Sequence, residues 1–204
     1  MIAILDYDAG NLKSVEKALL RLGATPVITR DRDTILAADH VILPGVGNFG
    51  DAMQKLEAYG LVPVIHEVID AGIPFLGICL GLQLMFEESE EAPGVKGLGL
   101  LPGKIFRIPA KEGLKIPHMG WNSLCVKEGA KLFAGLPEEP YVYFVHSYYL
   151  KADDFSDVAA TCEYSIEIHA SVEQKNIFAC QFHPEKSGEV GLAILQNFLQ
   201  IGGA

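Results

Sequence analysis

The spacing of apolar residues changes partway along this chain, and the two spacings predict different kinds of structure. Ile2-Ala3-Ile4-Leu5 is an unbroken apolar run, as expected of a strand buried on both faces of a parallel sheet. Between Asn11 and Leu22 the apolar positions Leu12, Val15, Leu19 and Leu22 share one helical face, and Gly23 marks the stop. Pro26-Val27-Ile28-Thr29 and Val41-Ile42-Leu43 read as two further strands. Helical spacing returns over 51–58 and 61–70, followed by an apolar strand from Pro74 to Ile78 and a helix over 82–86. Alternating strands and helices predict an α/β fold, an open and mostly parallel twisted sheet with flanking helices. Ligands bind such sheets at the carboxyl ends of the strands, the edge that carries Gly47, Cys79 and His183.

The second half reads differently. Segments 104–108, 121–126, 141–149, 158–164 and 177–182 are strand-like and joined by Gly/Pro-rich or charged turns, so some antiparallel pairing is expected. Leu192, Leu195, Phe198 and Leu199 give a closing amphipathic helix. No repeat, low-complexity tract or linker interrupts the chain, and its 204 residues suit one domain over 1–204.

Composition narrows the function. Hydrophobic residues make up 50% and charged residues 21%, so a sizeable core is expected and disorder is not. A net charge of −10 argues against a nucleic-acid or anionic-membrane surface. No apolar stretch is long enough to span a bilayer, and Met1-Ile2-Ala3-Ile4-Leu5 runs straight into Asp6 without the features of a secretory leader. Cys79, Cys125, Cys162 and Cys180 have no paired spacing, which points to reduced thiols in the cytoplasm. Of these, Cys125, Cys162 and Cys180 sit in β-like runs with no base nearby in sequence, and are expected to be structural.

Cys79 stands apart. Gly77-Ile78-Cys79-Leu80-Gly81 sets it between a predicted strand and a predicted helix, with glycines on both sides. A nucleophile projects well from such a sharp turn, and glycines tolerate the strained backbone and the close approach of a substrate. The first N–H groups of the helix, and its positive dipole end, favour thiolate and offer donors to an oxyanion. His183-Pro184-Glu185 closes another apolar run. Residues i and i+2 of an extended chain share a face, so the imidazole and the carboxylate can stand together, with Pro184 stiffening the turn. Nucleophile, base and orienting carboxylate make a triad. Each part alone has a plainer reading, a small buried cysteine or a surface His-x-Glu pair, but the two at strand ends of one sheet edge favour catalysis. Gly45-Val46-Gly47-Asn48-Phe49-Gly50 also matches G-x-G-x-x-G. It follows the third strand rather than the first, and Asp70 falls in a helix instead of ending the next strand, so dinucleotide binding is rejected. A turn whose N–H groups face Cys79 is the better use.

These residues resemble the class I (triad) glutamine amidotransferases. Gly77-Ile78-Cys79-Leu80-Gly81-Leu82-Gln83 and His183-Pro184-Glu185 carry the family-wide likeness. Tyr7-Asp8-Ala9-Gly10-Asn11, Pro44-Gly45-Val46-Gly47, the acidic run 87–91, Pro117-His118-Met119-Gly120-Trp121-Asn122, Tyr143-Phe144-Val145-His146-Ser147-Tyr148 and Lys186-Ser187 narrow it to members that serve a separate synthase subunit. The resemblance implies a flavodoxin-like amidotransferase fold and hydrolysis of L-glutamine to glutamate and ammonia. It implies no metal or organic cofactor, and a heterodimer with a (β/α)8-barrel cyclase that consumes the ammonia. Carried over residue by residue, Cys79 is the nucleophile, His183 the acid–base group and Glu185 its orienting partner. The N–H of Leu80 and one from Val46-Gly47 serve the oxyanion. Gln83, Glu91 and the Ser147-Tyr148 backbone contact substrate, Glu91 suiting the α-ammonium. Tyr7, Asn11, Trp121 and Lys186 face the partner or the ammonia passage. His118 and His146 are given no chemistry.

Other classes stay open on the residues alone. A free-standing cysteine hydrolase acting on peptide or γ-glutamyl bonds would share Cys79 and His183 but not the partner-facing blocks. A zinc hydrolase would use Cys79, His183 and Glu185 as ligands. A non-enzymatic binding subunit would have no use for an intact triad. Glu91, inside an acidic run, also fits a solvated face, and the four interface residues also fit plain surface packing.

Overall fold

The structure, a computed structural model, describes residues 1–202. Its first half runs β1 (Ile2–Leu5), α1 (Leu12–Arg21), β2 (Pro26–Thr29), α2 (Arg32–Leu36), β3 (His40–Gly45), α3 (Phe49–Ala58), α4 (Leu61–Asp70), β4 (Phe75–Cys79) and α5 (Leu80–Leu84). The second half runs β5 (Glu88–Ser89), β6 (Gly103–Arg107), β7 (His118–Ser123), β8 (Cys125–Val126), β9 (Tyr141–His146), β10 (Tyr148–Ala152), β11 (Val158–Tyr164), β12 (Ile166–Gln174), β13 (Ile177–Cys180) and α6 (Gly188–Leu199).

Eight strands form the central sheet in the order β2-β1-β3-β4-β13-β12-β11-β8. The first five in that order run parallel. β12, β11 and β8 extend the sheet in antiparallel fashion. The 2-1-3-4 start is the flavodoxin-like doubly wound order. Two small sheets, β10-β6-β5 and β7-β9, stand beside it.

Alternation along each buried strand decides which core its side chains join. Ala3, Leu5, Val41, Leu43 and Phe75 pack on one face with Phe49, Met53 and Leu56 of α3 and Ile65 and Val68 of α4. Ile2, Ile4, Ile42, Leu76 and Ile78 pack on the other with Val15 and Leu19 of α1 and Ile194, Leu195 and Phe198 of α6. Burial of each of the larger side chains among these contributes about 1.5–3 kcal/mol. The sheet is therefore held from both sides, and its carboxyl edge is a rigid platform. Gly45 pairs with Cys79 across β3 and β4, and Cys180 with Ile78 across β13 and β4. The loops that follow these strands must meet.

Several expectations shift. The strand expected over 141–149 is two strands, β9 and β10, parted at Ser147, and 121–126 likewise divides between β7 and β8. β12 and the five-residue α2 were absent from the expected elements. The helix after Cys79 starts at Leu80 and stops at Leu84 rather than covering 82–86. Every residue from Leu80 to Phe86 is buried, so the apolar pattern has no period to read. Cys125, expected to be a structural thiol, is exposed on β8 at the sheet's end, whereas Cys162 and Cys180 are buried. Burial pushes the Cys162 thiol up to about 12 and Cys180 well above the ordinary thiol range. Among the described residues, no helix is long and apolar enough to cross a membrane.

Candidate active site

β4 delivers Cys79 to the carboxyl edge, and α5 begins on the next residue. Cys79 itself makes the turn, at φ 55° and ψ −107°, a conformation that costs a non-glycine residue about 1–3 kcal/mol. The neighbouring glycines serve packing more than flexibility. A Cβ on Gly81 would drive into the Leu43 carbonyl oxygen, and one on Gly77 into the Met85 sulfur and the Gly81 carbonyl. Their absence lets α5 fold back at backbone contact with β3 and β4, and that contact locks the strained turn. Leu80 opens α5, so its N–H has no intrahelical acceptor. The Cys79 sulfur accepts from Gln181 Nε2 at 3.7 Å and approaches the Val145 carbonyl oxygen at 4.0 Å.

His183 follows β13, and a single 3-10 turn over Pro184–Lys186 brings Glu185 back onto it. The His183 N–H donates to the Tyr143 carbonyl at 2.9 Å. Ser187 Oγ donates to the His183 carbonyl at 2.6 Å and accepts from the Tyr143 N–H at 2.9 Å. Clamped in this way, His183 Nδ1 lies 2.8 Å from Glu185 Oε1, with both side chains buried. Asn11 Nδ2 donates to the same oxygen. His183 Nε2 and Glu185 Oε2 are buried without partners. Burial alone would depress the imidazole, but its interactions with Cys79 and Glu185 outweigh that and raise it from 6.5 to about 9. The imidazolium is thus the favoured form beside the thiol. Among the described residues no three His, Cys, Asp or Glu side chains gather as a metal site.

Cys79 opens into a cavity of about 390 Å³ lined by Val46, Gly47, Leu80, Gln83, Glu91, Ser147 and Tyr148, with Pro117, Val145 and His146. All eight residues expected at the nucleophile, oxyanion and substrate positions of this pocket are brought together here. A larger groove of about 850 Å³, along 126–138 and 197–202, shares no residue with it and is lined by no cysteine, serine or threonine. Glu91 accepts the Phe49 N–H at 2.8 Å through Oε2, which leaves Oε1 for a ligand. The acidic run around it is not simply a solvated face. Glu90 accepts from the Arg107 N–H, Glu87 from the Gly103 N–H, and Glu88 pairs with Lys104. Gln83 has a narrower part than expected, because its Nε2 already donates to the Tyr148 carbonyl at 3.1 Å and to Gln181 Oε1 at 3.0 Å. Only its Oε1 is left for a ligand.

The four residues expected at a partner surface or an ammonia passage divide. Tyr7 is 1% exposed, with its hydroxyl donating to the Pro44 carbonyl at 2.7 Å, so its side chain supports the turn after β3 instead of offering surface. Asn11 is half-buried and spends its amide on Glu185. Trp121 and Lys186 are exposed. Trp121 stands edge-on to Tyr143, ring centroids 6.2 Å apart, and Tyr143 is the residue whose backbone clamps the His183 turn. Gln181 was not singled out in the sequence, and Ser187 was noted only within the Lys186-Ser187 block, with no role. Gln181 lies two residues before His183, on the same side of an extended chain, and that spacing was the available signal.

A family model described as "Glutamine amidotransferase class-I" matches residues 3–201. The chain is 54% identical to a protein of Thermosynechococcus vestitus named imidazole glycerol phosphate synthase subunit HisH, over 98% of this chain and 96% of that one. It is 52% identical to the protein of the same name from Methanothermobacter thermautotrophicus, over 98% of each. Among solved structures, PurLQS from Thermotoga maritima superposes with a TM-score of 0.74 at 20% identity, covering 97% of this chain and 96% of that one, a likeness of fold.

Proposed function

The chain belongs to the class I glutamine amidotransferase family, and on that premise we propose how Cys79, His183 and Glu185 hydrolyse L-glutamine to glutamate and ammonia. It acts as the glutaminase subunit of an imidazole glycerol phosphate synthase, in histidine biosynthesis. The Cys79 thiolate attacks the side-chain amide carbon, and the carbonyl oxygen becomes an oxyanion held by the Leu80 N–H and an N–H of the Val46-Gly47 turn. His183, charged at neutral pH, gives its Nε2 proton to the amide nitrogen. The C–N bond breaks, ammonia leaves and a thioester remains. The now neutral imidazole takes a proton from water, which attacks the thioester through a second oxyanion. The C–S bond then breaks, glutamate leaves and the Cys79 thiolate and His183 imidazolium are restored. Glu185 keeps the proton of the ring on Nδ1, so that Nε2 does the exchange. Glu91 Oε1 meets the α-ammonium, and the Gln83 carbonyl and the Ser147-Tyr148 backbone complete the glutamine site.

The ammonia passes to a (β/α)8-barrel cyclase bound at the carboxyl edge of the sheet. There it reacts with a phosphoribulosyl-formimino aminoimidazole carboxamide ribonucleotide to give imidazole glycerol phosphate and aminoimidazole carboxamide ribonucleotide. Trp121 and Lys186 contribute surface to that heterodimer. Unpaired thiols fit a cytoplasmic setting.

The observation that carries this reading is one arrangement, a strained cysteine at the foot of the cavity with a buried His183–Glu185 hydrogen bond behind it. Replacing Cys79 by Ala tests it. The variant complex is expected to lose glutamine-dependent product formation by several orders of magnitude while still using added ammonium. Glutamine turnover at the wild-type rate would end the assignment of Cys79.

A further inference from the structure

Gln181 is fully buried and has no part in the mechanism above, yet it donates to the reacting sulfur. The direction of that bond is not a free choice. An amide side chain can be turned end for end, so its donor and acceptor must be fixed by neighbours. Here one backbone carbonyl fixes them all. Tyr148 O can only accept, so Gln83 must turn Nε2 toward it. The second N–H of Gln83 then meets Gln181, which must present Oε1. Gln181 Nε2 is thereby forced onto Cys79. The same carbonyl sets a second branch. His146 must carry its proton on Nδ1 to reach Tyr148 O at 2.8 Å, so its Nε2 accepts from His118 Nδ1 at 3.0 Å. His118 Nε2 in turn accepts from Asn122 Nδ2 at 3.4 Å. The two branches run from the nucleophile to β7 with every shared proton assigned.

We infer that Gln181 is a further catalytic residue, a neutral amide donor aimed at Cys79 that stabilises the thiolate and aligns it for attack. The inference rests on Cys79 being the nucleophile. Sulfur bears its full negative charge only as thiolate, so an N–H aimed at it favours that form over the thiol. The surroundings leave this task to few groups. Tyr7 and Cys180 lie within electrostatic reach of Cys79, and burial holds both in their neutral forms. His146, in the same cavity wall, is kept neutral by burial down to about 3. His183 is the cation, and it gives up its proton during each turnover. Gln181 keeps its donor throughout and can receive the sulfur again when the thioester breaks.

The test is the pH dependence of iodoacetamide labelling, followed by peptide mapping in a Cys125→Ser background because Cys125 is exposed. Gln181→Met keeps the volume and removes the donor. Its Cys79 labelling midpoint is expected to rise by about one pH unit, and glutamine kcat/KM in the complex to fall about tenfold, with ammonium-dependent activity unchanged. Gln181→Glu, which sets a carboxylate against the sulfur, should raise the midpoint further. A midpoint unmoved in folded Gln181→Met reduces Gln181 to a packing residue and overturns the inference. If Gln181→Met does not fold, Gln83→Met decides by the same readout, since it leaves Gln181 present but unoriented and must raise the midpoint part of the way. Labelling needs no substrate, so absence of glutamine turnover in the wild-type complex would refute the proposed function separately.

Discussion

Glu185 works through one oxygen. Oε1 takes both His183 and Asn11, and Oε2 is buried with no partner. That single contact fixes the tautomer and, together with the larger effect of Cys79, raises His183 against its burial to about 9. Glutamine hydrolysis should therefore fall as pH rises through about 9, where the departing nitrogen loses its acid. Glu185→Gln should lower the midpoint of that alkaline limb and cost less than His183→Ala, because proton transfer itself is worth about 10²–10⁴-fold. Equal losses in the two variants, at matched stability, would mean the pair acts as one unit. Stability carries the same signature. The folded-state pKa lies above the ordinary 6.5, so the stabilisation is fully present below about 6.5 and is lost as pH rises through about 9. Thermal melts across that window should decline more steeply for the wild type than for His183→Ala; parallel curves would show that the charge is not coupled to folding. The meeting of Cys79, His183 and Glu185 was legible in the sequence because the chemistry proposed for them demands three particular side-chain types at strand ends. Gln181 and Asn11 were not legible in these roles, since a neutral amide has no meaning until its neighbours fix which end points where.

At the scale of elements, the two glycine-bearing turns around Cys79 are built on opposite grounds. Gly81 has negative-φ helical backbone but no room, since a Cβ would meet the Leu43 carbonyl. Gly47 has room, nothing lying within 4 Å of a built Cβ, but a φ of 113°. Gly81→Ala should thus lose stability by about 1–3 kcal/mol or more, with Tm falling about 2–4 °C for each kcal/mol. Gly47→Ala should keep its fold at a strain cost of about 1–3 kcal/mol and lose glutaminase activity by up to about 10²–10³ as the oxyanion N–H turns away. Melting and kcat measured on both variants check this, and the reverse ranking would contradict it. Long elements with one apolar face, such as α1 and α4, could be read directly. α2 could not, having five residues and one buried side chain, although Asp31 caps it through the Thr34 N–H. β12 had a usable signal that went unread, the alternation of Ile166, Ile168, Ala170 and Val172 with Glu167, His169 and Ser171. The break at Ser147 belongs to neither pattern; it exists because β9 pairs with β7 and β10 with β6, two partners in different sheets.

For the whole molecule, the question is why the proposed triad should be kept under control. Ammonia released into water protonates and loses its nucleophilicity, so hydrolysis without a consumer wastes glutamine. The face around the site is suited to a cover. Met119 and Trp121 are 62% and 56% exposed, large apolar side chains that a lone monomer has little reason to present, and Lys186 is an exposed charge on the His183 turn. Inward from this face lie short mechanical links. Trp121 stands against Tyr143, which clamps the His183 turn. The loop before α1 carries Asn11 onto Glu185, and its Gly10 lies so close to Val46 that a Cβ there would come within 2.8 Å of Val46 Cγ2. Arg30 pins the same loop through Asp6 and Asp8. A partner seated on this face could bias the Val46-Gly47 turn without moving the buried triad, and one oxyanion donor is worth about 10²–10³ in rate. The chain is therefore expected to be a weak glutaminase alone and an efficient one when the barrel cyclase is bound with its nucleotide ligand. Steady-state glutamate release by the chain alone, with cyclase, and with cyclase plus ligand measures this directly. Three rates that agree within a few-fold would reject gating by the partner and favour a free-standing hydrolase, whereas a rise of about 10² or more confined to the third condition would assign the control to the turn after β3.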